Sequence, residues 1–207
     1  MIDIAVFGSN GFVGSAICRK FEKNKIKILK INRHNYSEYL GQNFNIIINS
    51  SAPAKRFWAK NNPELDYEET VVKTKNIISE FKFKKIVHIS SVSARCQLNT
   101  IYGINKKKSE DLIKNLSNYL IIRLGPLYGE GLLKGVLIDM IQDKKVFIDG
   151  KTKYSFTDID WNAEWIMNNL NLKNKVVEIG ATDYVQLDEL SKLINSKSKF
   201  EGDLDDQ

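Results

Sequence analysis

The chain has 207 residues, 43% of them hydrophobic and 27% charged, with a formal net charge of +6. That is enough for one large domain, or one domain with a small appendage, around a sizeable core. No apolar run approaches the roughly 20 residues that cross a bilayer, no basic leader or cleavage site precedes the first strand, and the basic residues are scattered rather than clustered with aromatics on one element. Neither a membrane nor a nucleic-acid partner is therefore expected.

Ile2–Phe7 is a short run of strand formers, followed by a helical pattern over Phe12–Lys23 with Val13, Ala16, Ile17 and Phe21 on one face. Residues 26–31 and 46–48 read as further strands, and 65–81 as a helix. Residues 85–89 form a strand, 100–116 a helix, and 119–124 another strand. Strands that are apolar throughout and alternate with helices predict a parallel, doubly wound sheet covered on both faces, an α/β fold. The rhythm loosens after Leu124, which predicts a sheet domain over 1–124, with an interleaved strand near 150–160, and a smaller region over 125–207. The acidic tail, 201–206, is expected to be solvated. Cys18 and Cys96 have no metal-ligand spacing, so no metal is expected, and the plain reading is a reduced, cytoplasmic setting.

Three stretches could carry chemistry. Gly8-Ser9-Asn10-Gly11-Phe12-Val13-Gly14 joins the first strand to the first helix. It is either a structural elbow or a backbone cradle for a phosphate. In the second case one glycine permits the sharp turn, another leaves room for a pyrophosphate, and the last lets helix and sheet pack closely, while the helix N-terminus offers free N–H groups. In Tyr102-Gly103-Ile104-Asn105-Lys106 the tyrosine and lysine are four apart, on one helical face. An ammonium near a phenol favours the phenolate and makes proton transfer feasible at neutral pH. Eleven residues before Tyr102, Ser91 ends an apolar strand, with Ser93 just beyond. In such sheets that is the edge where ligands bind, and Ser91 could hold a substrate oxygen against the tyrosine. The two histidines, His34 and His88, flank no nucleophile motif, and His88, inside a strand, reads as a core residue.

Taken in order, these stretches resemble the short-chain dehydrogenase/reductase superfamily, and within it the extended branch of epimerases and dehydratases. Asn49-Ser50-Ser51-Ala52-Pro53 is similar to that branch's N-A-A segment. The segment from Ile122 to Gly129 is similar to its R-P-x-x-x-Y-G stretch, and the one from Phe156 to Ala163 to its F-x-x-V-D-D-x-A stretch. The resemblance implies a Rossmann-type domain and a nicotinamide cofactor. The cofactor would be held by residues 8–14 (Gly8, Ser9, Asn10, Gly11, Phe12, Val13, Gly14), by Asn32 and Arg33, by Ser50, Ser51 and Ala52, and by Lys106. Ser91, Tyr102 and Lys106 would be the catalytic group, and Ser91, Ser93, Tyr102 and Arg123 would meet a carbohydrate substrate, in particular a nucleotide-linked sugar. A homodimer follows by analogy alone.

The sequence also departs from that pattern. The second strand ends in Ile31-Asn32-Arg33-His34, with no carboxylate for ribose hydroxyls, which predicts NADP(H) in preference to NAD(H) unless Arg33 points to solvent. Only about a dozen residues separate the second and third strands, so one strand of the usual first half is expected to be absent. Thr70-Val71 stands where the family has Asn-Val, and Trp161 replaces an aspartate. Ser91 is followed by Val92-Ser93 rather than Asp-Glu, which disfavours dehydration. The expected activity is thus that of an oxidoreductase or epimerase; the competing reading is a cofactor-binding sensor or scaffold with little or no turnover.

Overall fold

The computed structural model describes residues 2–207. In chain order its elements are β1 (Ile2–Phe7), α1 (Phe12–Lys23), β2 (Leu29–Ile31), β3 (Asn43–Asn49), α2 (Arg56–Asn61), α3 (Pro63–Tyr67), α4 (Lys73–Glu80), β4 (Lys82–Ser91), α5 (Ser93–Cys96), α6 (Ile101–Lys114) and β5 (Tyr119–Leu124). There follow β6 (Leu127–Tyr128), α7 (Val136–Ile141), β7 (Lys153–Tyr154), β8 (Thr157–Asp158), α8 (Ile159–Asn168), β9 (Lys175–Ile179), β10 (Val185–Gln186) and α9 (Leu187–Leu193). Two compact units result: one runs through Leu124 and resumes at Asp160–Glu178, the other comprises Gly125–Ile159 and Ile179–Gln207.

The first unit holds a six-stranded sheet of order β2-β1-β3-β4-β5-β9, a Rossmann-like arrangement in which β1 to β5 pair in parallel. Continuous apolar strands such as Ile86-Val87 and Leu120-Ile121-Ile122 are buried on both faces, as a parallel sheet requires. The strand missing between β2 and β3 is replaced by a single 3-10 turn, Tyr36–Tyr39, which leaves β2 at the edge. Tyr36 packs edge-on against Phe7 and Phe81, with ring centroids 5.9 and 5.2 Å away, and its hydroxyl donates to Glu80 at 2.7 Å. A few aromatic contacts thus close the core where a strand and helix would have done so.

The helical stretch expected over 65–81 begins at Pro63, contains a π-helical turn over Glu68–Val72, and continues as α4. Phe81 has left it, extended and buried against the core. The sheet's sixth strand is β9, at 175–179, and not a segment near 150–160. Residues 153–158 instead form one strand of each of two small sheets in the second unit, β10-β7 and β6-β8. That unit has its own core of Met140, Val146, Tyr154 and Leu187.

The C-terminal tail is exposed over residues 201–204, as its charge suggested, but its last residues are held in place. The Ser155 amide donates to the Gln207 carbonyl at 2.8 Å, the Gln207 amide to the Lys153 carbonyl at 3.0 Å, and the Tyr154 hydroxyl to Asp205 at 2.6 Å. Backbone pairing along β7, which no charge pattern reports, holds it there.

Candidate active site at the carboxyl ends of the parallel strands

The strand register brings Phe7, Asn49 and His88 side by side, so the turns after β1, β3 and β4 open at the same sheet edge. At the first of them, Gly8 has φ +78°, and its amide donates to the Ile31 carbonyl at 2.9 Å. A Cβ on Gly8 would stand 2.6 Å from the Ser51 Cα, and one on Gly14 would overlap the Gly8 carbonyl oxygen and approach the Ser50 Oγ at 2.7 Å. These two glycines therefore let β1, α1 and the turn after β3 close on one another.

Gly11 is different: a Cβ there would meet only the Gly8 carbonyl oxygen, at 3.2 Å, and its own φ is −76°. Neither conformation nor protein packing demands glycine at that position, whereas a ligand lying against the backbone would. Gly11 is also the N-cap of α1, no side chain caps that helix, and its first turn carries no acid. An uncapped, acid-free helix start has the free N–H groups and the charge balance that suit a phosphate. Ser9 is engaged elsewhere, its hydroxyl donating to the Ile31 carbonyl at 3.2 Å. Phe12 and Val13 open α1, and Asn10 is exposed.

The second wall is the turn after β3. Ser50 donates from Oγ to the Phe7 carbonyl at 2.7 Å, Ser51 from Oγ to Asn49 Oδ1 at 2.7 Å, and Ala52 lies next in the turn. Asn49 Nδ2 faces His88 Nδ1 at 3.2 Å, His88 Nε2 faces the Ser109 Oγ at 3.1 Å, and that hydroxyl donates to the Lys106 carbonyl at 2.8 Å. Since the Asn49 amide nitrogen can only donate, His88 accepts at Nδ1 and carries its proton on Nε2. Burial, with the Lys106 charge beside it, pushes the His88 pKa down to about 3, so the ring is neutral. This buried chain ties the Ser51 turn to α6.

Tyr102 and Lys106 sit on one face of α6, as their spacing predicts, with the lysine Nζ 5.2 Å from the centre of the tyrosine ring. Thr100 caps the helix, accepting from the Gly103 amide at 3.0 Å. Gly103 lets α5 approach, since a Cβ there would strike the Gln97 and Ser93 carbonyls. Tyr102 and Lys106 are both buried.

The electrostatics depart from expectation. Burial pushes the Tyr102 pKa up to about 12, and what pulls it back is a hydrogen bond with the Ser91 hydroxyl and then the charge of Arg56, not Lys106. Burial likewise brings Lys106 down to about 8, opposed by the carboxylates of Asp66 and then Glu110. At neutral pH the pair is a phenol beside an ammonium. Sequence reading had missed Arg56 and Asp66 because α2 and α3 are short and their side chains meet α6 only in the folded chain.

Two expected substrate contacts are otherwise employed. Ser93 is buried, donating from Oγ to Gln97 Oε1 at 2.7 Å and accepting from the Ser91 Oγ at 3.2 Å; it props Ser91 from behind. Arg123 is bidentate to the fully buried Glu110, at 2.8 and 2.7 Å, and reaches Glu178 at 2.9 Å, which Arg95 also holds at 2.7 Å. Three of its N–H donors serve a structural ion network, and the side chain is only 11% exposed. After β2, Asn32 binds its own loop, its Oδ1 accepting from the His34 amide at 2.9 Å. Arg33, with an 80% exposed side chain, pairs with Glu69 at 3.3 Å. Among the described residues no cluster of three metal-ligating side chains exists and no helix is long and apolar enough to cross a membrane.

Comparison with known proteins identifies the family and supports the fold. A putative UDP-glucose 4-epimerase of Methanocaldococcus jannaschii is 24% identical over 255 aligned positions, covering 97% of this chain and 84% of the relative. The crystal structure of UDP-glucose 4-epimerase from Thermotoga maritima with UDP-glucose superposes with TM-score 0.77 at 16% identity, over 98% of this chain and 86% of that one. That of the Thermus thermophilus UDP-glucose 4-epimerase complex with NAD has TM-score 0.76 at 14% identity, over 100% and 89%. The NAD dependent epimerase/dehydratase family matches residues 4–180, and the chain belongs to it.

Proposed function

We propose that the protein is an NAD(H)-using enzyme that interconverts nucleotide-linked sugars by reversible oxidation at a ring carbon, with epimerisation the favoured outcome. The observation that carries this reading is the meeting of Ser91, Tyr102 and Lys106 at the sheet edge that also holds the Gly8–Gly14 turn. Residues 8–14, with the Ser50-Ser51-Ala52 turn, would hold the dinucleotide, and a nicotinamide bound there supplies reversible hydride acceptance. Tyr102, as the phenolate, would take the hydroxyl proton of the sugar as that carbon is oxidised, and the phenol so formed would return the proton from Oη to the carbonyl oxygen as the carbon is reduced again. Ser91, hydrogen-bonded with the tyrosine, would align the reacting oxygen, and the Lys106 ammonium over the ring would stabilise the phenolate.

The expected preference for NADP(H) is revised. Arg33 does not stand free for a 2′-phosphate but pairs with Glu69, whose carboxylate would have to give way to that anion. The family and the NAD complex of the Thermus thermophilus relative favour NAD(H) as well. The test is to titrate the protein with NADH and NADPH by fluorescence, then incubate it with NAD and UDP-glucose and look for UDP-galactose. Tighter NADH binding and interconversion without net NADH release support the proposal. Tighter NADPH binding overturns the cofactor assignment, and net accumulation of NADH or no conversion overturns epimerisation of this sugar.

A further inference from the structure

The middle of the sheet carries a histidine where an aliphatic residue would complete the core. On β4, Ile86, Val87 and Ile89 are buried on either side of His88, which is itself 0% exposed. Asn49, its register partner on β3, and Ser109 on α6 are buried as well. Polar groups in such a place are costly unless they are hydrogen-bonded, and these three are bonded in series.

One backbone group fixes the direction of that series. The Ser51 amide, which can only donate, gives its hydrogen to Asn49 Oδ1 at 3.2 Å, and the Ser51 hydroxyl donates to the same oxygen at 2.7 Å. Asn49 therefore turns Nδ2 toward His88 Nδ1, 3.2 Å away. Nδ1 has to accept, so the ring proton is on Nε2, which donates to the Ser109 Oγ at 3.1 Å. Ser109 donates onward to the Lys106 carbonyl at 2.8 Å. Burial, and then the Lys106 charge, keep the ring neutral, so it does not turn into a donor at both nitrogens. Every donor thus points the same way, from the turn after β3 to α6, and bonds aligned in this way polarise and reinforce one another.

We propose that His88 is a positioning residue: accepting at Nδ1 and donating at Nε2, it holds the Ser51 turn and the Lys106 backbone in fixed register, and so sets two sides of the cofactor's seat before the cofactor arrives. That the seat takes a nicotinamide dinucleotide rests on the function proposed above; the direction of the chain does not. An apolar side chain of similar size would fill the same space, but it would leave Asn49 Nδ2 with nothing to donate to and cut the turn loose from α6.

The test has two arms, both on the full chain. In the first, with no ligand added, 15N-labelled histidine is observed by NMR at neutral pH, and His88 is assigned by the signal lost in His88→Gln. Nδ1 should be bare and Nε2 protonated. Asn49→Asp keeps the shape and the acceptor for Ser51 but faces Nδ1 with a carboxylate oxygen, and should draw a proton onto Nδ1. A protonated Nδ1 in the wild type, or a bare one in the folded Asn49→Asp variant, overturns the proposal. In the second arm NADH dissociation constants are measured by fluorescence. His88→Met should weaken binding by roughly tenfold, while His88→Gln, which again offers one acceptor and one donor, should stay within about threefold of the wild type. NADH affinity unchanged in His88→Met, or no better in His88→Gln than in His88→Met, overturns the positioning role. Should His88→Met fail to fold, Ser109→Ala decides: it cuts only the link to Lys106 and should weaken NADH by about threefold or more, and unchanged affinity overturns the role. A wild type that binds no NADH overturns the function proposed above and the positioning role with it, while the first arm still judges the direction of the chain by itself.

Discussion

Replacing Arg123 by methionine separates a structural from a substrate-binding arginine. In the folded chain Glu110 is fully buried and receives two of its hydrogen bonds from Arg123. Without the guanidinium, only Ser90 at 2.7 Å and Lys114 at 4.0 Å remain to it. Breaking a buried pair by removing one partner costs roughly 3–5 kcal/mol. For a chain of about 200 residues each kcal/mol moves the melting midpoint by roughly 2–4 °C, so Arg123→Met should lower it by about 6–20 °C. The assay is thermal unfolding followed by circular dichroism, with Arg123→Met/Glu110→Met as the companion. Removing both charges replaces the ion pair with apolar volume and should recover much of the loss. Nucleotide-sugar affinity, measured well below the melting midpoint, should be unchanged. A variant that melts with the wild type but binds the sugar nucleotide at least tenfold more weakly would refute the structural assignment.

Other perturbations probe the turn and the buried histidine. Gly14→Ala forces a methyl into the Gly8 carbonyl and the Ser50 hydroxyl, and should cost roughly 1–3 kcal/mol as overpacking, seen as a lower unfolding midpoint. Gly11→Ala meets only one atom, at 3.2 Å, so it should melt near the wild type yet bind NADH more weakly by fluorescence titration; unchanged affinity would remove Gly11 from the cofactor site. His88 titrates near 3 in the fold against 6.5 in a model peptide. The unfolded chain therefore takes up that proton first, so the stability the neutral ring provides is complete above pH 6.5 and declines toward pH 3. Between pH 7 and pH 4 this amounts to about 3 kcal/mol, and denaturant unfolding of His88→Gln should show a correspondingly smaller loss over that interval.

The sheet was legible in the sequence because fully apolar runs alternating with helical patterns have few other solutions. The absent strand could be read from chain length, since the dozen residues between β2 and β3 accommodate only the turn at Tyr36–Tyr39. The spacing of Tyr102 and Lys106 set their shared helical face, because four residues is nearly one turn. Partnership was not legible. Arg123 and Ser93 have the donors a sugar requires, but only the fold shows Glu110, Glu178 and Gln97 already accepting from them. For the same reason Asp66 went unnoticed: its partner Asn105 is 39 residues away, and no local pattern marks a carboxylate that will be buried. The tyrosine's acidity was misjudged because charge spacing is visible in a sequence and desolvation is not.

The most direct test of the proposed chemistry is Tyr102→Phe, which removes one oxygen and leaves the ring packing in place. With NAD and UDP-glucose, the variant should interconvert sugars roughly 10²–10⁴-fold more slowly than the wild type, while its NADH dissociation constant stays within about twofold. Turnover at the wild-type rate would contradict the assignment of the Tyr102 hydroxyl as the group that moves the proton.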